Sequence, residues 1–346
     1  MNRIVVAPDS FKGSLSACEV AEAISQGILS VCPSCEVVPV PVADGGEGLV
    51  DALTVSMGGR RAFATVSDPL GRLVAAGYGI VGDLAVIEVA AACGLTLLSE
   101  SERNPLLTTT RGVGELILDA VSQGCRRFLI GLGGSATNDG GRGMLEVPGI
   151  LERTAGMAFR IACDVNTPFV GAEGASRVFA PQKGASAQDV EVLEARMQEW
   201  ASVMEERTGV DVRQMPGAGA AGGLGGAFAA FWGARLEPGI ELILDTLRFD
   251  AMLEGTDLVI TGEGKADFQT MRGKVASGVL RRAQAAGVPV DLLAGKVESC
   301  PALDWAGFRR IVQVTPPGMP LAIAMRRETA QENLRRAAGE MYIIKL

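Results

Sequence analysis

The sequence predicts an α/β protein with mostly parallel sheets. Three observations support this prediction: short apolar runs alternate with stretches of helical periodicity, helix start and stop signals flank those stretches, and polar, glycine-rich sequence collects where the strands end. Such alternation is typical of parallel sheets covered by helices. Sheets of this kind bind ligands at the carboxyl ends of their strands. The chain has 346 residues, which suits two domains.

The first strand is predicted at 3–7, and the helix after it begins with the capping-box pattern of Ser16 and Glu19. Gly124 is a stop signal for the helix that precedes it. The further predicted elements are strands at 36–42, 126–131, 159–163, 257–261, 288–293 and 309–314, and helices at 110–124, 188–207, 274–286 and 326–340. Because the middle of the chain has more glycine and longer loops, we expect an inserted domain there.

The composition excludes several classes of function. The net charge is −8 and no Lys/Arg-rich run occurs, which argues against nucleic-acid binding. The chain has no histidine, so Ser-His-Asp and Cys-His catalysis are excluded, whereas phosphoryl transfer is compatible with this composition. The longest apolar stretch, 85–98, is interrupted by Glu88 and is too short for a membrane span. With no signal-peptide core at the N-terminus, we expect a cytoplasmic protein that contacts no membrane.

The cysteines indicate no metal site. Of the seven, Cys32 and Cys35 form a single CxxC between a predicted helix and a predicted strand. A zinc site would need a second pair or histidines, and the chain offers neither. We therefore interpret these two residues as ordinary reduced thiols in a surface turn.

Two acidic segments follow predicted strands near the N-terminus. Asp9, Ser10 and Lys12 leave the first strand, where an acid can bind a hydroxyl or a metal and Lys12 an anion. A turn with a solvated lysine is the alternative. Asp44 and Glu47 are separated by glycines, which suits a hydroxyl clamp or a Mg²⁺ shell, or alternatively a flexible hairpin loop.

Two glycine-rich segments lie further along the chain. The stretch 131–141 offers a run of N–H and hydroxyl donors, which predicts a phosphate cradle, although the Walker lysine pattern is absent. The residues expected to bind there are Gly133, Gly134, Ser135, Thr137, Asn138 and Asp139. The stretch 217–222 matches GxGxxG only weakly, because no strong strand precedes it. For Gly219 and Gly222 we favour close helix packing or a nucleotide-facing loop over NAD binding.

A third segment, 262–274, follows the strand predicted at 257–261. Glu263 and Asp267 are metal or base candidates there, and Lys274 could neutralise charge on a transferring phosphoryl group. Asp164 adds one more acid in a polar loop after the strand at 159–163. Any of these acids could instead cap a helix.

In this order, the segments resemble the type I glycerate kinase family. The matching stretches are APDSFKGSLSA at 7–17, PVADGGEG at 41–48, RNPLLTTTRGVGEL at 103–116, GLGGSATNDGG at 131–141, ACDVNTPFVGAEGA at 162–175, APQKGA at 180–185, PGAGAAGGLGGAF at 216–228 and DLVITGEGKADFQTMRGK at 257–274. The resemblance implies two discontinuous α/β domains with mostly parallel sheets and an active-site cleft between them. We place one domain at 1–75 plus 246–346 and an inserted, flavodoxin-like domain at 76–245.

The resemblance also implies the reaction: ATP- and Mg²⁺-dependent phosphorylation of D-glycerate, commonly to 2-phosphoglycerate, in glyoxylate or sugar-acid breakdown. Its partners would be glycerate and ATP, with a homodimer as an open alternative. The site residues it suggests fall into four groups: catalytic Lys12, Asp164, Asp267 and Lys274; substrate-binding Asp9, Ser10, Asp44, Glu47 and Arg272; nucleotide-binding Gly264 with the glycine-rich residues named above; and metal-binding Glu263 and Asp267.

The chain departs from the family in two places. The segment 144–159 is shorter than the family's and is too short to hold a further strand and a glycine-rich turn, and Arg272 stands where the family often has histidine. Arginine donates hydrogen bonds and stays charged, so Arg272 can still contact a phosphate but is poorly suited to shuttle a proton. The shortened segment leaves open a family member that binds ligand as a sensor without turnover. Phosphorylation at the 3-hydroxyl is a second alternative, and an NAD-dependent oxidoreductase is a third, based on 217–222 alone.

Overall fold

The structure is a computed structural model that describes residues 3–343, so the predicted domain ends at residues 1 and 346 lie outside it. The chain forms two compact units. The first comprises the chain up to Asp44, the segment Asp51–Met57 and the chain from Ile240 onward. The second comprises Gly45–Val50 and Gly58–Gly239.

Strands and helices alternate along the described residues. The strands are β1 (Arg3–Val6), β2 (Glu36–Pro39), β3 (Arg60–Ser67), β4 (Leu73–Val81), β5 (Leu84–Glu88), β6 (Arg127–Gly131), β7 (Ala158–Ala162), β8 (Arg235–Glu237), β9 (Leu258–Ala266), β10 (Val290–Val297) and β11 (Arg310–Gln313). The helices are α1 (Ala17–Val31), α2 (Leu49–Ser56), α3 (Ala90–Cys93), α4 (Arg111–Ser122), α5 (Arg142–Leu145), α6 (Ile150–Arg153), α7 (Ala175–Phe179), α8 (Ala187–Thr208), α9 (Ala220–Trp232), α10 (Gly239–Thr246), α11 (Phe249–Leu253), α12 (Val275–Ala285), α13 (Pro301–Asp304), α14 (Leu321–Ala324) and α15 (Arg327–Ile343). Within the described range, no helix is both long and apolar enough to cross a membrane.

The first unit contains a parallel five-stranded sheet in the order β11-β10-β9-β1-β2. Numbered along the unit's own chain, this is the order 2-1-3-4-5 of flavodoxin-like folds. The flavodoxin-like fold is predicted for the inserted domain at 76–245, whereas this strand order occurs in the first unit. The predicted capping box at Ser16 and Glu19 is confirmed at the start of α1. Gly27 of α1 allows close packing on α15, since a Cβ there would lie 2.3 Å from the carbonyl of Arg335.

The second unit contains a six-stranded sheet in the sequential order β3-β4-β5-β6-β7-β8. Its β3, β4 and β5 pair antiparallel, and β5 to β8 pair parallel. The boundary predicted between residues 75 and 76 falls inside β4, because the β3–β4 hairpin pairs Val66 with Val74 and belongs wholly to this unit. Phe128 and Phe159 stack in its core at 4.6 Å between ring centroids. Sheets flanked by helices in both units confirm the predicted α/β class.

The short segment at 144–159 is packed against the core of the second unit. It forms the end of α5, the helical turn α6 and the start of β7, and it buries Met144, Val147 and Ile150 in the core of the second unit. The indole N–H of Trp232 donates to the hydroxyl of Thr154 at 2.8 Å. The shortened connection is therefore a packed part of the unit.

Two local predictions need correction. Cys32 and Cys35 are joined by a disulfide, not reduced as predicted. Their Cα atoms lie 5.5 Å apart across the turn between α1 and β2, which is within the span of a disulfide. The strand predicted at 257–261 extends through Ala266, because its glycine- and acid-rich end still pairs with β10, Glu263 opposite Ala294.

Candidate active site

The ends of β1 and β9 bring two acids of the first unit together. These strands are parallel neighbours, so their carboxyl ends share one edge of the sheet. The N–H of Asp9 donates to the carbonyl of Gly262 at 2.8 Å, and the next residue of β9 is Glu263. Gly264 lies beside the backbone of Lys12, since a Cβ built on it would be 3.5 Å from the N atom of Lys12, an ordinary contact distance. The predicted residues Asp9, Glu263 and Gly264 therefore occupy one sheet edge.

Asp9 has an unusual electrostatic environment. Burial raises its pKa from 3.8 to about 7, and the carboxylates of Asp44 and Glu263 act in the same direction. The N–H of Ser10 donates to Asp9 Oδ1 at 2.6 Å and opposes the shift only in part. Because the group titrates near neutral pH, it can accept a proton from a hydroxyl in a reaction at that pH.

Glu263 carries a polar atom without a partner. Its residue is 6% exposed, and burial raises the pKa of the carboxyl, whereas the Thr270 hydroxyl and the Lys274 ammonium oppose that shift. Glu263 Oε1 has no hydrogen-bond partner among the described residues. A buried carboxylate oxygen left unpaired is costly, so this atom is a natural point of contact for a ligand or cation.

Asp267 and Lys274 follow β9 in the same unit. Asp267 accepts the N–H of Gln269 at 2.8 Å and pairs with Lys265 at 3.1 Å. The Gln269 N–H, the Lys265 ammonium and the more distant Lys274 lower the pKa of Asp267. Lys274 stands immediately before α12, which makes it the N-cap residue. The charge of Lys274 acts on both Asp267 and Glu263, as the sequence-based grouping of these three residues predicts. The lowered pKa of Asp267 keeps this side chain ionised as a carboxylate.

The remaining candidates of the first unit are more exposed. Ser10 and Asp44 are half-buried, and Lys12 and Arg272 are exposed. The Arg272 guanidinium lies over the ring of the exposed Phe268, 5.1 Å from its centroid. Exposed cations can reach a small anionic substrate, which keeps Lys12 and Arg272 as carboxylate-binding candidates.

Glu47 belongs to the second unit, where it is exposed. The glycines of its loop have a packing function: Gly45 has φ +95°, and its Cβ would lie 2.7 Å from the Cβ of Ala162. A Cβ on Gly131 would lie 2.4 Å from the carbonyl of Gly45. These close approaches fix the loop against the ends of β6 and β7.

The glycine-rich loop at 131–141 is partly exposed and partly buried. Gly133 and Gly134 are exposed, and Gly134 has φ +75°. Ser135, Thr137 and Asn138 are buried. The Asn138 amide donates to the Ser176 hydroxyl at 3.0 Å, so its N–H₂ group is used inside the protein. Exposed N–H groups are found at the start of the predicted cradle, and the buried Thr137 hydroxyl has no hydrogen-bond partner among the described residues.

Asp139 holds this loop to the segment before α4. It accepts the N–H and the hydroxyl of Thr110, both at 2.8 Å, and the N–H groups of Gly141 and Gly143, both at 3.1 Å. Burial raises the pKa of Asp139, and these four donors act against that shift. All its described hydrogen bonds are with groups of the same unit, so Asp139 has the contacts of a residue that holds the loop in place.

Gly219 and Gly222 lie in tightly packed backbone. A Cβ on Gly219 would lie 2.2 Å from the carbonyl oxygen of Pro168, and one on Gly222 would lie 2.0 Å from that of Thr137. Gly222 also has φ +67° and accepts the N–H of Gly140 at 3.0 Å. The arrangement matches close packing, the first of the two interpretations that the sequence favours.

Asp164 is an exposed residue of the second unit whose Oδ1 accepts the N–H of Gly239 at 2.8 Å, where α10 begins. This is the contact of a helix cap. Lys183 is not among the residues predicted from the sequence: it is buried, and its Nζ donates to Ser135 Oγ at 2.9 Å and to the Thr137 carbonyl at 2.7 Å. The APQKGA match is its only signal in the sequence.

Comparison with known proteins identifies the family. The family model described as "Glycerate kinase family" matches residues 4–151 and 145–344. The chain belongs to the glycerate kinase family. A glycerate kinase of Bacillus subtilis (strain 168) is 41% identical over 370 aligned positions, covering 98% of this chain and 96% of that protein. The glycerate 2-kinase of Escherichia coli (strain K12) is 44% identical over 325 positions, covering 85% of each chain.

Among solved structures, this family member is similar to a Salmonella typhimurium LT2 protein that carries the provisional name glycerate kinase 2. The TM-score is 0.89 at 39% identity, covering 99% of this chain and 98% of that one. The predicted family and fold class are thereby confirmed. The family match is split at 145–151, and the Bacillus subtilis alignment is longer than this chain, so the shortened segment lies where the sequence indicates it.

Proposed function

We propose that this chain transfers the γ-phosphoryl group of ATP to a hydroxyl of D-glycerate in a Mg²⁺-dependent reaction, with 2-phosphoglycerate as the product. The regiochemistry follows the glycerate 2-kinase of Escherichia coli, to which the chain is 44% identical. The observation that carries the proposal is the sheet edge with Asp9, Glu263 and Lys274, where a carboxyl that titrates near neutral pH lies beside a second acid and a lysine suited to contact phosphate. A cytoplasmic location stays a prediction.

Asp9 is the residue best placed to orient the attacking hydroxyl. The sequence favours Asp164 or Asp267 for this role, but Asp164 accepts an N–H as a helix cap and Asp267 is paired with Lys265. In the proposed step the glycerate oxygen bonds to the γ-phosphorus, the bond to the bridging oxygen of ADP breaks, and the hydroxyl proton passes to Asp9. Lys274 would stabilise the charge on the transferring group.

The proposed Mg²⁺ would be held by Glu263 and Asp267. Among the residues described, no group of three or more His, Cys, Asp or Glu side chains forms a metal site. Mg²⁺ is commonly bound by one or two carboxylates together with substrate phosphates, so the unpaired Glu263 Oε1 and the Asp267 carboxylate fit this donor set. When bound, the ion supplies charge neutralisation at the phosphates.

The test is ADP formation from MgATP and D-glycerate, followed by phosphorus NMR of the product. We expect ADP formation that requires both glycerate and Mg²⁺, with the 2-phosphate signal in the product. A 3-phosphate signal would correct the regiochemistry alone. Folded protein that forms no more ADP with glycerate than without it would contradict the proposed function.

A second candidate is a family member that binds ligand without turnover. It is favoured by the short segment at 144–159, where the family match is split. Met144 and Ile150 are buried there, and both candidates require a packed unit, so turnover must decide between them. Thermal stabilisation by glycerate or ATP without ADP formation would distinguish the sensor from the kinase.

A further inference from the structure

Lys183 is a deeply buried cation of the second unit with neutral hydrogen-bond partners. It ends the short 3₁₀ turn Pro181–Lys183 and is 3% exposed. Its two partners are the hydroxyl of Ser135 and the carbonyl of Thr137. An ammonium has three N–H groups, so these contacts leave one N–H unused in the described structure. Lys183 is therefore incompletely paired for a buried charge.

Burial makes this charge unfavourable. It lowers the pKa of Lys183 from 10.5 to about 8, whereas the two titratable groups acting on it, the Cys93 thiol and the Asp139 carboxyl, act in the opposite direction. Asp139 is itself occupied by four donors from the surrounding loop. A buried charge normally has a counter-charge or a functional reason. A bound anion would provide that counter-charge.

The loop next to Lys183 has open donors. Gly133 and Gly134 directly precede Ser135 and are exposed, and their N–H groups take part in no hydrogen bond of the described structure. The positive φ of Gly134 is a backbone conformation found in anion-binding nests. Two exposed glycine N–H groups thus directly precede Ser135, whose hydroxyl accepts a hydrogen bond from the buried Lys183 ammonium.

We infer that Lys183 is a positioning residue of an oxyanion subsite, in which it holds Ser135 and Thr137 and supports the open N–H groups of Gly133 and Gly134. The inference rests on the proposed kinase function, which supplies two oxyanions of shared chemistry: a phosphate of the nucleotide and the carboxylate of glycerate. The nucleotide phosphate is the expected occupant, because glycine-rich N–H nests are typical phosphate sites.

The experiment measures affinity by calorimetry, with ADP and D-glycerate titrated separately into the wild type and Lys183→Met. Methionine keeps the unbranched apolar stem and removes the charge. Lys296→Met is the matched control, since Lys296 is an exposed lysine that pairs with Glu298. Titrations at about pH 7 and about pH 9 lie on either side of the pKa of about 8 of Lys183.

We expect Lys183→Met to weaken ADP binding about tenfold or more at the lower pH, because Ser135 and Thr137 lose the charge-assisted hydrogen bonds that hold them. The wild type should bind ADP more weakly at the higher pH, and the variant should lose this pH dependence. If Lys183 had only a structural role, the pH dependence would be the same in the variant and the wild type. If glycerate affinity responds instead of ADP affinity, the subsite is supported with the carboxylate as its occupant.

The inference would be overturned if the wild type bound both ligands equally well at the two pH values. This comparison uses the wild type alone, so it does not depend on a variant that folds. A folded Lys183→Met protein that binds both ligands as the wild type does would also overturn the inference. Because binding is measured apart from turnover, a protein that binds ADP through Lys183 but forms no product would keep the subsite and lose the proposed function.

Discussion

The acidic sheet edge of the first unit and the glycine-rich loop of the second unit satisfy their polar groups in different ways. At the sheet edge, Asp9 is surrounded by like charges and Glu263 has an oxygen without a partner among the described residues. In the loop, Asp139 accepts four hydrogen bonds and Asn138 donates to Ser176, whereas Asn138 Oδ1 and Thr137 Oγ1 have no partner among the described residues. Satisfied groups such as Asp139 mark architecture, whereas incompletely paired groups mark a place that a ligand completes: the Glu263 oxygen at the sheet edge and the Lys183 ammonium beside the loop.

The largest expected effect is at Asp9. Asp9→Asn removes the proton acceptor, so we expect turnover to fall by about 10²–10⁴-fold, as is typical for loss of a general base. Asp304→Asn is the control, since Asp304 is an exposed acid of the same unit. Steady-state kinetics with D-glycerate and MgATP measure the change. Near-normal turnover in Asp9→Asn would remove the role of Asp9 in the proposed function.

The same variant should be more stable than the wild type. The folded-state pKa of Asp9, about 7, lies above its ordinary value of 3.8, so the folded protein holds this proton more tightly between those values. Wild-type stability is therefore lost as pH rises from about 4 to about 7, and asparagine removes that loss. We expect Asp9→Asn to raise the free energy of unfolding by about 1–3 kcal/mol at pH 8 and to change it little at pH 4. Urea titrations at both pH values measure this difference, and destabilisation at pH 8 would contradict it.

Glu263 should give the second largest effect. Glu263→Gln keeps the shape of the side chain and removes its charge, so we expect kcat/KM to fall about tenfold to a hundredfold, with a higher Mg²⁺ concentration needed for half-maximal rate. The control is Glu298→Gln, an exposed acid paired with Lys265 and Lys296. An unchanged Mg²⁺ dependence would show that Glu263 does not hold the metal.

The sequence predicts the acidic edge better than the loop for a physical reason. Asp9 follows an apolar run that must be a buried strand, so its position at the strand end follows from topology. Lys183 depends on contacts with Ser135 and Thr137, which lie more than forty residues away and leave no periodic signal. The hairpin of β3 and β4 is not predicted from the sequence, because β3 begins with two exposed arginines and has a short apolar pattern.

Packing in the loop predicts a stability effect at Gly222. Gly222→Ala would place a Cβ 2.0 Å from the Thr137 carbonyl at a φ of +67°, so we expect a loss of about 2–4 kcal/mol in unfolding free energy. Gly156→Ala is the matched control, because Gly156 has φ +73° and a Cβ there would meet no described atom within 4 Å, so it should cost only about 1 kcal/mol. Urea titrations of both variants measure the losses. Equal losses would show that close packing is not the function of Gly222.

The smallest expected effect distinguishes a cap from a catalytic acid. Asp164→Ala removes the acceptor of the Gly239 N–H, and loss of such a cap costs about 1 kcal/mol of stability. Asp164→Asn keeps an acceptor oxygen and should restore most of that stability. If Asp164 is only a cap, both variants should retain turnover within a few-fold of the wild type. A fall of about a hundredfold in Asp164→Asn, with stability intact, would instead return this acid to the catalytic role that the resemblance implies.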